Sequence, residues 1–579
     1  METQMVNAAS SFVLRRRTAR AATLLLASLL LSSAAAVAAP PAKVVSSDGI
    51  VTAAPGTAPA AAAAVEAGFV GKMERALADR LASRAASAEP VNVVYLLRSS
   101  VANQRTAGDR AAAEALASRI AAGSEAVVRR LRAGGQRVIY RARYAPMVVA
   151  AAGAASIRAA EADPEVERIY LERISQPRLG VSRRVVQANV VNARGIRGAG
   201  AKVAVVEPGR IGPNPSLPAS TLCRPTASTS PGSHKTNVAG VIRSMATVDR
   251  GLAPSVAVLD GVGQDFSDAE MMAATDCVIA QGAVAVNYSF GTETDGVFGP
   301  LARYVDETVY NTGRTIAVAI SNFCNLRMGT PEIAFNALAV GAFSDGNTTG
   351  FPDDVPGCDV GFSAFLDPFS PNSDRQEPDL VAPGDLISTT VSGGGFASVS
   401  GTSFAAPHVV AGIALLRQRL PALQTQTERV RAILMASARH NIEGATVLSD
   451  QDGAGAILLA AADRVLLNNQ SWDVGKPGDA TGFPHVQTFS ATAGQRVRAA
   501  LAWAHKPSGS TLTEPTTDLD LVVLDPAGDV VGGSLSYDNS YEIVEFVAPV
   551  SGTYTLNVSN FRSSPGREFL GLAVSRTNR

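Results

Sequence analysis

The chain is 579 residues long, 46% of them hydrophobic, and its 51 lysines and arginines balance its 51 aspartates and glutamates. That length exceeds one ordinary domain and calls for roughly three or four. A zero net charge leaves no electrostatic footprint for nucleic acid or for an anionic membrane surface.

The N-terminus carries Arg15, Arg16, Arg17 and Arg20, then an apolar run over residues 21–31, then Ala36-Val37-Ala38. A basic segment, a short apolar segment and a small-residue cleavage pattern predict a secretory signal over residues 1–38. The expected location is therefore extracellular or periplasmic. The apolar part is short for an anchor, and no other stretch is long enough to span a bilayer. Export makes Cys223, Cys277, Cys324 and Cys358 candidates for two disulfides. Three pairings are open, and the nearest-neighbour one, Cys223 with Cys277 and Cys324 with Cys358, is preferred here. No Cys-x-x-Cys or His-rich spacing points to a metal instead.

Residues 39–88 are rich in Ala and Pro and read as a spacer, weakly helical over 66–88. Residues 89–177 give a strand at 91–97, a helix at 107–132 ended by Gly134-Gly135, strands at 137–141 and 147–151, a short helix at 154–162 and a strand at 166–171. Strand-helix-strand-strand-helix-strand is the ferredoxin-like order. From the strand 202–206 to about residue 468, strand and helix patterns alternate, as a parallel α/β sheet flanked by helices requires. Residues 469–579 change to short alternating strands, at 497–503, 519–524, 541–546 and 553–558, which predicts a β-sandwich or jelly roll. Asp518, Asp520 and Asp538 in this last part are candidate ligands for a structural calcium ion.

The chemistry concentrates at Gly401-Thr402-Ser403-Phe404-Ala405-Ala406-Pro407-His408. A Gly-rich stretch precedes it and an apolar run follows as far as Arg417, so a small, hydroxyl-rich turn opens a buried helix. A serine in that first turn exposes its hydroxyl beside unpaired backbone N–H groups, where negative charge is favoured. Capping alone would use the serine but has no need of Pro407-His408. A serine hydroxyl becomes a nucleophile only when a base takes its proton and a carboxylate orients that base. Among the five histidines, His234 stands in Ser233-His234-Lys235-Thr236-Asn237-Val238-Ala239-Gly240, a helix-like run. Glu207 ends the strand 202–206, and Ser321-Asn322 end the strand 316–320.

Taken together, these stretches resemble the subtilisin-like serine peptidases, whose order along the chain is acid, histidine, serine. The resemblance implies that Ser403 is the nucleophile, His234 the base, and Glu207 the acid at a position where the family carries aspartate. It also implies that Asn322 and the Ser403 N–H form the oxyanion hole, and that His408 is structural. Asn287-Tyr288-Ser289-Phe290-Gly291 resembles the family's substrate-pairing strand, which makes Ser289, Phe290 and Gly291 substrate-binding residues. Gly251-Leu252-Ala253-Pro254 and Pro378-Asp379-Leu380-Val381-Ala382-Pro383-Gly384 match further family stretches. By the same resemblance, residues 178–468 are the catalytic domain, residues 89–177 a propeptide that chaperones and inhibits it, and residues 469–579 an appended β domain. The partners implied are protein or peptide substrates and the chain's own propeptide, with no cofactor needed for the chemistry. The departures are Glu207, Lys235, Asn237 and Ser321. Glu207, Lys235 and Asn237 favour the alternative reading, a catalytically degenerate peptide-binding protein on the same fold.

Overall fold

The computed structural model describes residues 43–45, 51–53, 69–83 and 90–577, apart from 100, 102–105, 107–108, 173–175, 178–181, 293–295, 440–441, 443–447, 476–481, 508–513 and 563–567. The expected signal at 1–38 lies outside these residues. Among the described residues no helix is long and apolar enough to cross a membrane.

The sheet that carries the site is built on Lys202–Pro208, whose residues 203–206 are apolar without alternation and wholly buried. Burial on both faces is what a parallel strand covered by helices demands. Its neighbours are Ala257–Gly263 on one side and Ala285–Tyr288 on the other. Thr221–Cys223 extends one edge, while Thr315–Ala319, Leu338–Ser344 and Leu380–Pro383 continue the other, all in parallel register. Among the described residues only the short Val355–Pro356 pairs antiparallel in this sheet. The disulfides are Cys223–Cys277 and Cys324–Cys358, the nearest-neighbour pairing preferred from sequence.

Upstream, the strands run in the spatial order Val166–Leu171, Val91–Leu97, Met147–Ala152, Arg137–Arg141, with helices Arg110–Ala133 and Ala154–Glu161 as the crossovers. This is the ferredoxin-like order. Two additions correct the reading of 39–88 as spacer. Phe69–Val70 and Met73–Glu74 extend the sheet beyond Val166–Leu171, and the helix Arg75–Ser83 buries Leu77 and Leu81 in the same core. Two leucines one helical turn apart were enough to pin this segment to the sheet. Lys43–Val45 also pairs with Val51–Ala53.

Among the described residues the C-terminal region forms two four-stranded antiparallel sheets. Inward residues of both, among them Val497, Leu501 and Trp503 from one and Leu521, Leu556 and Val558 from the other, share one core. That is a β-sandwich.

Candidate active site

Strand Phe396–Val399 leads through Gly401 into the 3-10 turn Thr402–Phe404 and the helix Ala405–Arg419. Gly401 takes φ 143°, a backbone angle that side chains with a Cβ rarely adopt, so glycine permits the reversal. Ser403 thus sits in the turn that enters the helix, not within the helix itself. Its expected exposure is corrected as well, because Ser403 is fully buried in the full chain. The Ser403 hydroxyl donates to the Ser289 carbonyl at 3.1 Å, and the Ser289 hydroxyl donates back to the Ser403 carbonyl.

His234 lies in the first turn of the helix Ser233–Arg243, and its Nδ1 is 2.6 Å from Glu207 Oε2. The imidazole stacks on Phe404, the residue after Ser403, with ring centroids 6.4 Å apart. His234 Nε2 has no hydrogen-bond partner among the described residues. An acid and a base are therefore joined beside the serine, while the serine hydroxyl is turned toward Ser289 and not toward the base.

Lys235 has a specific place in this arrangement. Its ammonium is completely buried and donates to the carbonyls of Glu207 at 2.9 Å, Gly209 at 3.0 Å and Gly261 at 2.8 Å, with Asp260 Oδ1 at 2.7 Å. Burial pulls the Lys235 ammonium below the usual lysine range, against the opposing pull of the Asp260 carboxylate. Asp260 in turn accepts from Ile211 N at 2.8 Å. The lysine that departs from the family pattern is thus the tie between the Glu207 main chain and the neighbouring strand. Asn237 is buried, and its carbonyl accepts from the Thr389 hydroxyl at 2.7 Å.

Asn322 Oδ1 accepts from Thr402 N at 2.9 Å and from the Thr402 hydroxyl at 3.0 Å. Both bonds use the oxygen end of the amide, which leaves the Nδ2 end directed away from Thr402. Ser321 is buried, and its hydroxyl accepts from Phe323 N at 3.2 Å. His408 donates from Nδ1 to the Phe404 carbonyl at 2.8 Å and accepts at Nε2 from Ser182 N at 2.8 Å. Burial pushes its pKa down to about 4, as suits a neutral histidine holding a helix start.

The strand Phe290–Gly291 is paired antiparallel with the chain's own Gln176–Pro177, Phe290 opposite Pro177 and Gly291 opposite Gln176. Beyond Pro177 the next described residue is Ser182, bonded to His408 in the first turn of the helix Ala405–Arg419. The two described ends therefore flank Ser403.

Of the calcium candidates, Asp518 and Asp520 lie buried on the strand Asp518–Leu524, whereas Asp538 accepts from Asn372 N and Nδ2, both at 2.8 Å. Among the described residues no three His, Cys, Asp or Glu side chains converge to hold a metal ion. Sequence reading missed Asp260, Thr402 as the holder of Asn322, and Glu332, whose Oε2 would lie 2.5 Å from a Cβ added to Gly291. The only advance signal for Asp260 was an aspartate in the middle of the otherwise apolar run Ala257–Gly263.

Residues 223–458 match the subtilase family, and residues 485–560 match the bacterial pre-peptidase C-terminal domain. Glu207 precedes the first of these stretches. The intracellular serine protease of Paenibacillus polymyxa is 46% identical over 59 residues, which cover 10% of this chain and 18% of that protein. The subtilisin of Bacillus pumilus is 29% identical over 240 residues, 39% of this chain and 79% of that protein. Subtilisin BL of Lederbergia lenta is 30% identical over 241 residues, 39% of this chain and 78% of that protein.

Proposed function

The chain belongs to the subtilase family, and from that premise we propose that it is a secreted serine endopeptidase made as an inactive precursor. The observation that carries this reading is the 2.6 Å contact of His234 Nδ1 with Glu207 Oε2, next to the turn that holds Ser403. In the proposed reaction Nδ1–H donates to Glu207, which leaves the Nε2 lone pair to take the Ser403 proton. Ser403 Oγ then attacks the peptide carbonyl. The developing oxyanion is met by the Ser403 N–H and Asn322 Nδ2. His234 returns the proton to the departing amine, the acyl group stays on Ser403, and a water activated by His234 releases it as the carboxylic acid. No metal or cofactor takes part in these steps.

The precursor reading is supported by the Gln176–Pro177 pair on Phe290–Gly291, because a strand in that position blocks other peptides. The same geometry favours a single cut of the chain between Pro177 and Ser182, with residues 89–177 as the inhibitor and chaperone. A degenerate, peptide-binding form of the fold is the second reading, favoured by the Ser403 hydroxyl resting on Ser289 in place of His234 Nε2. A fluorophosphonate probe separates them. Wild type is expected to be labelled and to cut itself, whereas Ser403→Ala folds, stays unlabelled and keeps its N-terminal region attached. Equal peptide hydrolysis by Ser403→Ala would sink the assignment.

A further inference from the structure

Strand geometry fixes where a bound peptide points its side chains. Opposed residues of an antiparallel pair put their side chains on one face, and the face alternates at each residue. Gly291 is opposed by Gln176, so the Cβ direction of Gly291 marks the face used by a peptide residue at that position. The peptide residue two further on, opposite Ser289, uses the same face. Ser289 is also where the Ser403 hydroxyl rests, at 3.1 Å from its carbonyl. The peptide residue opposite Ser289 is therefore the one whose carbonyl meets the nucleophile.

A carboxylate stands on that face. Glu332 is wholly buried, and its Oε2 lies 2.5 Å from the Cβ position of Gly291. The segment that carries it is fastened to the substrate strand, with Thr292 N and the Thr292 hydroxyl both donating to the Thr330 carbonyl, at 2.7 and 3.0 Å. Gly329 N donates to Glu332 Oε1 at 3.2 Å. We propose that Glu332 determines specificity, and that the site takes peptides with arginine or lysine at the residue whose carbonyl Ser403 attacks.

This inference rests on the serine peptidase reading above. A carboxylate in a dry pocket wall discriminates strongly, since a cation entering the pocket is held in low dielectric and an anion is repelled. An apolar side chain would pack against the carboxylate without offering it a hydrogen bond. Arginine suits such a wall through its planar fork, and lysine through its point charge on a long stem. Two strand residues span roughly 6.6 Å, a gap that either side chain bridges. The sequence is consistent with this choice, because the residue that follows the paired Gln176-Pro177 is Arg178.

The test uses processed wild-type protein and fluorogenic peptides that differ only at the residue before the cut, which is Arg, Lys, Leu, Phe or Glu. Arg and Lys peptides are expected to exceed the Leu peptide in kcat/KM by about a hundredfold, and Glu332→Gln to lower that ratio by a similar factor. Glu332→Asp keeps the charge and should keep a preference for Arg. A fluorophosphonate-reactive wild type that prefers Leu or Phe overturns the proposal, as does an unchanged Arg to Leu ratio in Glu332→Gln. If Glu332→Gln does not fold, the wild-type profile and Glu332→Asp decide the matter. A wild type that the probe does not label refutes the peptidase reading itself, so the two failures remain distinct.

Discussion

Glutamate reaches one methylene further than aspartate, so an acid of this length orients His234 only if its own main chain is held at the right distance. The Lys235 ammonium provides that hold by donating to the Glu207, Gly209 and Gly261 carbonyls while facing Asp260. In the proposed triad Glu207→Gln should fold but lower kcat roughly ten-thousandfold, the scale seen when a triad acid becomes its amide. Lys235→Met alone strands the Asp260 carboxylate in the core, which costs about 3–5 kcal/mol. Lys235→Met with Asp260→Asn removes both charges and should recover most of that stability. If Lys235 acts through Glu207, the charge-free pair lowers kcat clearly in the wild-type background and little further beside Glu207→Gln. Measured kcat values and denaturant melts of the four proteins complete the cycle. An equal kcat penalty in both backgrounds would make Lys235 purely structural.

At the scale of elements, the helix Asp268–Ala280 is the seam between the N-terminal domain and the catalytic sheet. Asp276 on this helix accepts from the Tyr140 hydroxyl, from Arg143 N at 2.8 Å and from the Tyr304 hydroxyl at 2.6 Å. Burial pushes its pKa up from 3.8 to about 6, although these donors and the Arg143 charge pull it down. Where release of the N-terminal domain exposes Asp276 to water and returns its pKa toward 3.8, binding takes up a proton. The contribution of Asp276 to N-terminal domain affinity is therefore full below about pH 4 and lost as pH rises through about 6, with roughly a hundredfold as its upper bound. The lag between self-cleavage on a gel and peptide hydrolysis, assayed at one common pH after incubation, should be longer at pH 4.5 than at pH 7.5. Asp276→Asn should flatten this dependence, and an unchanged dependence would assign it to other groups. The sequence did reveal the elements that hold the candidate site, because Glu207, His234, Asn322 and Ser403 each sit at the end of a strand or the start of a helix, where periodicity breaks. It did not reveal Tyr140 with Asp276 or Lys235 with Asp260. Those pairs join separate elements, and a tyrosine or an aspartate has no local pattern that names its distant partner. The helix Arg75–Ser83 falls within the stretch 66–88 read as weakly helical, but its packing on the sheet was not legible, since two buried leucines in an Ala-rich run give a weak signal.

At the scale of the whole molecule, the C-terminal sandwich is part of the catalytic domain's core. Ala500, Ala502, Tyr541, Ile543 and Ala573 are buried in one cluster with Val409, Leu415 and Ile433, and the helix Thr427–Ser437 packs on the strands Arg496–Trp503 and Leu570–Thr577. Polar bonds cross the same boundary. Asn336 Nδ2 donates to the His505 carbonyl at 2.8 Å while His505 N donates to Asn336 Oδ1 at 2.7 Å. Arg431 ion-pairs with Asp379, just before the strand Leu380–Pro383, donates to the Ser540 hydroxyl at 2.6 Å, and lies over the Tyr541 ring, whose hydroxyl donates to the Gln376 carbonyl at 2.7 Å. A boundary that is apolar and cross-linked by these hydrogen bonds couples the unfolding of its two sides. The processed protein should therefore melt in a single calorimetric transition that includes the sandwich. Tyr541→Ala, which empties a fully buried aromatic site, should lower the stability of the whole unit by about 3–5 kcal/mol and keep the transition single. Two resolved transitions, with only the weaker one moved by Tyr541→Ala, would mean that the sandwich is an appendage and that the catalytic domain folds without it.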